Sequence, residues 1–141
     1  MNNLKTYEEF LNEGSMSNSD IQSIVDRVYP QIVKNLGKSK YVKTPEVELW
    51  KNIYVRLTGE PEAEGEHSSS SEAQYDDNEN KIFIYYSTMK DEKHVIQSLL
   101  HEYTHALQDP EKWEEHRADG YDNNPYEKAA FKSEKNWKKY R

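Results

Sequence analysis

The sequence predicts an α+β fold, with a helix near the amino terminus, a small mixed or antiparallel sheet, and two further helices. Two observations carry this prediction: apolar residues recur at helical spacing in separate segments of the chain, and they alternate with polar residues in the stretches between the first two of these segments. The order of the segments is helix, strands, helix, an irregular link and a helix. This order is typical of α+β proteins.

The composition indicates one small domain with a lean core, because only 34% of the 141 residues are hydrophobic and 32% are charged. The absence of cysteine excludes disulfides, a zinc ribbon and a thiolate nucleophile, so that a metal would need histidine and carboxylate ligands, and it favours a reducing compartment. The net charge of -7 argues against a dedicated nucleic-acid-binding protein. No apolar run approaches the length of a membrane span.

The first helix is predicted over residues 19–36. Pro30 lies inside it, and we expect this proline to kink the helix or to split it near Tyr29. Alternation of apolar and polar residues predicts strands in two later stretches. The residues that carry this alternation are Val47 and Leu49, and then Ile53, Val55 and Leu57. In the second stretch, Ile82, Ile84 and Tyr86 alternate with the aromatic Phe83 and Tyr85.

A stretch of acidic residues separates these strands. Residues 60–79 contain eight acidic residues and no lysine or arginine, interleaved with a run of serines, which predicts a solvated, flexible loop at about 60–80. A calcium site on Asp76, Asp77 and Glu79 is the weaker alternative, because the glycine and the ligand spacing of an EF-hand loop are missing.

Helical spacing returns in the second half of the chain. It predicts a helix over residues 91–108, ending before Pro110, and a last helix over residues 125–139 that begins at a first-turn proline, Pro125. Basic residues outnumber acidic ones in this last helix, which suits the negative end of its own dipole.

The motif with most chemical content is His101-Glu102-Tyr103-Thr104-His105, inside the predicted helix 91–108. Residues four apart share a helical face, so that His101 and His105 can bind one metal ion, and Glu102 can act as general base on a water activated by the metal. The apolar residues of this helix point the other way, into the core. The plainer alternative is a pair of hydrogen-bonded histidines beside an exposed glutamate.

Two histidines and a water leave a tetrahedral zinc ion one protein ligand short. A metzincin would have Gly at 108 and His at 111, and the residues found there, Gln108 and Glu111, exclude that class. We favour Glu127, because it begins a helix in which the small Ala129 and Ala130 permit close approach to the histidine helix. The remaining candidates are His116, Asp119 and Asp122.

These motifs resemble those of minimal gluzincin-type zinc metallopeptidases, in which H-E-x-x-H is followed by an E-x-x-A helix, often within a P-x-E-x-x-A context. His101, Glu102 and His105 match the first motif, and Pro125, Glu127 and Ala130 match the second, so that the likeness covers about residues 82–130. The resemblance implies a zincin-like fold, a zinc ion held by the two histidines and Glu127, and hydrolysis of a protein or peptide substrate with Glu102 as the catalytic base.

The resemblance has further implications for the substrate and its surroundings. An extended substrate would lie along the strand before the active-site helix, at residues 81–87, by β-augmentation. A group that stabilises the oxyanion is expected, and Tyr121, Tyr126 and His116 are its candidates. Many relatives carry a second acidic residue shortly after the ligand glutamate, whereas Lys128 and Ala129 stand there in this chain.

Residues 2–14 lack the apolar run of a signal peptide and predict a short amphipathic helix, which on the plainest interpretation is a docking helix. The segment also resembles the capsid-targeting leader of internal head proteins in T-even-type tailed phages. The residues that match its core and its trimming site are Lys5, Thr6, Tyr7, Glu9 and Phe10, and then Leu11-Asn12-Glu13. This resemblance implies a removable leader at 1–13 and a single metallopeptidase-like domain at 14–141.

The leader resemblance also implies a location and partners. The protein would contact the prohead scaffold and the prohead protease through residues 1–14, reside in the capsid interior and be delivered into the host cytoplasm. Two functions then compete: a zinc metallopeptidase, or a non-enzymatic packaged protein that binds and inhibits a host factor and uses zinc as a structural staple. Glu102 favours the peptidase, because the motif does not use it as a ligand.

Overall fold

In the computed structural model, residues 16–63, 72–120 and 123–141 are described, and they form five α-helices and a three-stranded sheet. The elements are α1 (Asn18–Leu36), β1 (Glu46–Trp50), α2 (Ile53–Thr58), β2 (Ala73–Asp76), β3 (Lys81–Tyr85), α3 (Glu92–Ala106), α4 (Trp113–Arg117) and α5 (Pro125–Ser133). Short 3-10 helices follow β3, α3 and α5, at Tyr86–Thr88, Pro110–Lys112 and Glu134–Tyr140 respectively. The predicted α+β class is confirmed.

The sheet is mixed and has the order β1-β3-β2. β1 runs parallel to β3, and β2 runs antiparallel to it, so that Val47 and Tyr75 both lie beside Ile82. Four consecutive residues of β3, from Ile82 to Tyr85, are buried, as expected for a central strand covered on both faces. Because Lys81–Tyr85 is the central strand and the chain continues as a 3-10 helix from Tyr86, a substrate strand cannot add to residues 81–87, and that expectation was wrong.

Helix α1 runs without interruption through Pro30, so that the expected split near Tyr29 does not occur. The four buried residues of α1, which are Ile21, Val25, Val28 and Ile32, lie both before and after the proline and fix the two halves against one core. Pro30 itself is exposed, and the carbonyl that its ring leaves unpaired is the one four residues earlier, at Asp26, which is also exposed.

Residues 53–58 form helix α2, where the sequence predicted a continued strand. Two local features explain the difference. The Asn52 side chain caps the helix by accepting a hydrogen bond from the N–H of Val55 (2.8 Å), and Gly59 ends it in the left-handed conformation (φ 74°). Tyr86, also assigned to a strand from the sequence, begins the 3-10 helix after β3.

Part of the expected acidic loop is ordered as a hairpin. Residues 73–76 form strand β2, and the Asp76 side chain accepts hydrogen bonds from the N–H groups of Asn78 and Glu79 (2.9 and 3.0 Å) in the turn that leads to β3. The carboxylate proposed as a calcium ligand therefore stabilises a turn.

Helix α3 packs against the core and also carries both histidines. Asp91 caps its start by accepting from the N–H of His94 (2.9 Å). One face of the helix is buried against α1 and the sheet, and its buried apolar residues are Val95, Ile96, Leu99, Leu100, Tyr103 and Ala106. The hydroxyl of Tyr103 donates to the carbonyl of Gly37 (2.6 Å), which ties α3 to the end of α1.

The chain after α3 returns to it. Helix α5 ends at Ser133, and the residues expected to continue it form the 3-10 helix Glu134–Tyr140. This segment packs on α3, and Arg27 of α1 donates to the carbonyl of the buried Tyr140 (2.9 Å). None of the helices in the described ranges has both the length and the apolar character that crossing a bilayer needs.

Candidate metal centre

His101 and His105 lie one turn apart on α3, and Glu127 of α5 lies against both of them. The Oε1 atom of Glu127 is 3.1 Å from Nε2 of His101 and 3.0 Å from Nε2 of His105. Among the described residues these three form one group whose ligand atoms all lie within 4.8 Å of one another. The structure thus brings together the three residues that the sequence proposed as metal ligands.

The local sequence around Glu127 explains its position. Asn124 caps α5 by accepting from the N–H of Tyr126 (2.8 Å), and Pro125 occupies the first turn of the helix, so that Glu127 also falls in that turn. Ala130, three residues on, is fully buried where α5 meets α3. A larger side chain at 130 would separate the two helices and withdraw the carboxylate from the histidines.

The donor set fits a metal ion. Two ligand atoms that are each about 2.0 Å from a tetrahedral ion lie about 3.3 Å apart. The two nitrogen-to-oxygen distances in this group fall within a few tenths of an ångström of that value. The side chains of His101, His105 and Glu127 are only 12%, 6% and 15% exposed, so that water competes little for them. These three residues, the metal-binding group, can therefore hold a metal ion.

The electrostatics of the group favour a cation. Burial alone would raise the pKa of Glu127, but hydrogen bonds from both histidines outweigh it and lower the pKa to about 2. Burial alone would lower the pKa of His101, but hydrogen bonds to Glu127 and Glu134 outweigh it and raise the pKa to about 10. In the metal-free protein the raised pKa keeps His101 protonated, so that its positive charge lies beside Glu127 where a metal ion fits.

Glu102 lies beside the metal-binding group without belonging to it. Alternate residues of β2 turn their N–H groups away from β3, and the N–H of Tyr75 donates to Oε1 of Glu102 (2.9 Å). Burial raises the pKa of Glu102, and the neighbouring histidines offset part of this rise. The backbone of β2 therefore holds the Glu102 carboxylate next to the three candidate ligands.

A shallow cleft of about 290 Å³ opens over these residues. Residues of β2, α3 and α5 line it together with Trp113 of α4, whose ring centroid lies 4.8 Å from that of His105. The residues that line the cleft are Ala73, Gln74, Tyr75, His101, Glu102, His105, Trp113 and Glu127.

The other candidates from the sequence lie elsewhere. His116 packs on the ring of Tyr126 (4.7 Å) and faces Asp119, with 3.6 Å between Nδ1 and Oδ2, and neither His116 nor Asp119 joins the metal-binding group. The hydroxyl of Tyr126 donates to the carbonyl of Asp109 (3.1 Å), and the cleft is lined neither by Tyr126 nor by His116. The last two candidates, Tyr121 and Asp122, lie outside the described residues.

Two further residues, which were not predicted from the sequence, contact the Nδ1 atoms of the histidines. Nδ1 of His101 is 2.8 Å from Oε2 of Glu134, and Nδ1 of His105 is 2.8 Å from Oε1 of Gln108. A signal for both was present. Glu134 stands seven residues after Glu127, two turns along one helical face, and Gln108 stands three residues after His105, one turn along another.

No protein-family model, no curated protein and no solved structure matches this chain. The likeness to gluzincins therefore depends on the two short motifs around His101 and Glu127.

Proposed function

We propose that the protein is a zinc-dependent peptidase of the gluzincin type, with His101, His105 and Glu127 as zinc ligands and Glu102 as general base. The observation that carries this proposal is the position of Glu102. It lines an open cleft beside three convergent ligands and is held by the N–H of Tyr75, outside the ligand set. A general base needs this arrangement, and a metal ligand does not.

Zinc is the metal that the donor set favours. Two imidazoles and one carboxylate, with no thiolate, form a common catalytic zinc set, which leaves a fourth position for water or substrate. Structural zinc sites are closed by four protein ligands instead. Three ligands beside a cleft therefore favour catalysis over a structural staple.

The proposed chemistry assigns the proton transfers to Glu102. A zinc ion held by His101, His105 and Glu127 would supply a Lewis acid that polarises the peptide carbonyl and lowers the pKa of water. Glu102 accepts the proton of the attacking water and passes it to the departing amine. Its raised pKa suits both steps, because a base works best when its pKa lies near the working pH. The N–H of Tyr75 holds one carboxylate oxygen in place throughout.

Strand β2 is the surface that we propose for the substrate. In the part of the chain that the structure describes, β2 is an outer strand of the sheet, and its edge away from β3 borders the cleft. An extended peptide that pairs with this edge would cross the cleft beside Glu102 and the metal-binding group. A protein or peptide substrate therefore suits the site better than a compact small molecule.

We also propose, from the leader motif alone, that the protein is packed in a phage head and acts after delivery into the host. The non-enzymatic alternative, inhibition of a host factor by binding, predicts that Glu102 is dispensable. The two functions thus differ in the effect of one substitution.

The test compares wild type, Glu102→Gln and the control Glu115→Gln, which changes an exposed glutamate of α4. Zinc content is measured by mass spectrometry of the metal, and cleavage by profiling new peptide termini in a bacterial lysate. We expect about one zinc per chain in all three proteins, and cleavage lowered by at least 100-fold in Glu102→Gln alone. Equal cleavage by Glu102→Gln and wild type, or wild type without zinc, would overturn the proposal.

A further inference from the structure

Each candidate ligand histidine has a defined partner on its second ring nitrogen. The Nε2 atoms of both rings face Glu127, while the Nδ1 atoms face two different side chains, Glu134 for His101 and Gln108 for His105. Both second partners lie outside the two motifs that define the site, and both lie 2.8 Å from the ring nitrogen.

The orientation of the Gln108 amide follows from its other contact. Its Nε2 atom donates to the carbonyl of Tyr126 (3.0 Å), and a carbonyl can only accept. The amide oxygen is therefore the atom that faces His105, and it too can only accept. Nδ1 of His105 must therefore carry a proton, so that a metal ion, which would replace the hydrogen bond to Glu127, can be bound only through Nε2.

Glu134 likewise accepts a hydrogen bond from Nδ1 of a histidine, His101, but it does so with a carboxylate instead of an amide. An ionised carboxylate only accepts hydrogen bonds, so that Nδ1 of His101 is the donor. The side chain of Glu134 is 23% exposed, and it begins the 3-10 helix that ends at the buried Tyr140. A carboxylate in this position increases the basicity of the opposite ring nitrogen, whereas a neutral amide contributes mainly orientation.

We propose that Glu134 and Gln108 are positioning residues which hold His101 and His105 in the tautomer that binds metal through Nε2, with Glu134 contributing more of the metal affinity. This inference rests on the proposed metal-binding function. Glu134 would then supply the second acidic side chain that many relatives carry where Lys128 and Ala129 stand in this chain. Gln108 has an additional effect, since its contact with Tyr126 joins the helix of the histidines to the first turn of the helix that carries Glu127.

The experiment measures zinc affinity by competition with a chromophoric chelator at one fixed pH. The variants are Glu134→Ala, Glu134→Gln and Gln108→Ala, and the control is Lys135→Ala, an exposed neighbour in the same 3-10 helix. We expect Glu134→Ala to weaken zinc binding by about 10- to 100-fold. Gln108→Ala should weaken it less, Glu134→Gln should recover part of the loss because its amide oxygen still accepts, and Lys135→Ala should bind as wild type.

Two further measurements separate positioning from simple stability. The Nδ1 protons of both histidines should be visible by NMR in the wild type, and the signal of His101 should be lost in Glu134→Ala. The absorption spectrum of the cobalt-substituted protein should change in Glu134→Ala and remain unchanged in Lys135→Ala.

If Glu134→Ala binds zinc as tightly as Lys135→Ala while wild type binds zinc, the inference is wrong and the proposed function stands. If wild type binds no zinc, the proposed function fails and the inference fails with it. If Glu134→Ala does not fold without metal, Glu134→Gln decides: a zinc affinity below that of wild type supports the charged role of Glu134, and an affinity equal to that of wild type overturns it.

Discussion

Glu102 and Glu127 are two carboxylates in one cleft whose surroundings move their pKa values in opposite directions. Burial raises the pKa of Glu102, whereas the two histidines lower that of Glu127 to about 2 in spite of its burial. In the metal-free protein this separation keeps Glu127 ionised while Glu102 takes up a proton more readily. The difference arises from contacts, since only Glu127 is hydrogen bonded by both histidines.

The third ligand can be tested at the same scale. Glu127→Ala should weaken zinc binding by at least 10-fold, because it removes the oxygen that both Nε2 atoms contact. His116→Ala and Asp119→Ala should bind as wild type, since both residues lie outside the metal-binding group. Asp122→Ala belongs in the same series, because Asp122 was a candidate from the sequence. Isothermal titration with zinc measures all four, and a loss confined to one of the other three variants would refute Glu127 as the ligand.

At the level of elements, the part of the structure that the sequence predicted best is α3. Its apolar face and its H-E-x-x-H motif are local features with one helical period, so that packing and chemistry could be assigned to opposite faces. The position of Glu127 required one further step, the close approach of α5 through Ala130, and the small residue gave the signal for it.

The elements that the sequence missed depend on single contacts rather than on a period. The apolar alternation of residues 53–57 favours a strand, but the cap at Asn52 and the left-handed Gly59 stabilise a short helix instead. Strand β2 contains few apolar residues and lies in an acidic stretch, and it forms because β3 offers it an edge. Tertiary context therefore decided both cases.

The cap of α2 leads to a stability prediction. Asn52 is buried, accepts from the N–H of Val55 and donates to the carbonyl of Ala63 (3.0 Å). Asn52→Ala should lower the free energy of unfolding by about 1 to 3 kcal/mol, because it removes a cap and leaves a carbonyl without its donor. Ser17→Ala, which removes the exposed cap of α1, should cost only about 1 kcal/mol. Urea unfolding measures both, and equal costs would mean that the bond to Ala63 contributes nothing.

At the scale of the whole molecule, the site depends on long-range closure of the chain. The candidate ligands on α3 and α5 are brought together by a core in which α1, α3 and the sheet pack around one cluster. The Glu134–Tyr140 segment packs on both α1 and α3. A protein with such a small hydrophobic core has a low free energy of unfolding. Zinc bound only to the folded state would add to it by mass action.

The leader hypothesis also belongs to this scale. If residues 1–13 are trimmed after Leu11-Asn12-Glu13, the protein in mature particles should begin at Gly14. N-terminal sequencing of the protein from purified particles tests this. Finding Met1 or Asn2 at the amino terminus of assembled particles would refute the leader and leave the argument for the metal site unchanged.

The ring of Trp113 against His105 gives the site an optical reporter of its own. Indole emission is quenched by a neighbouring imidazole to a degree that depends on the charge which the imidazole carries, and the two ring centroids are 4.8 Å apart. The chain has two other tryptophans, Trp50 and Trp137, and neither lines the cleft. With both of them replaced by phenylalanine, the remaining fluorescence would follow the filling of the site in real time and without a label.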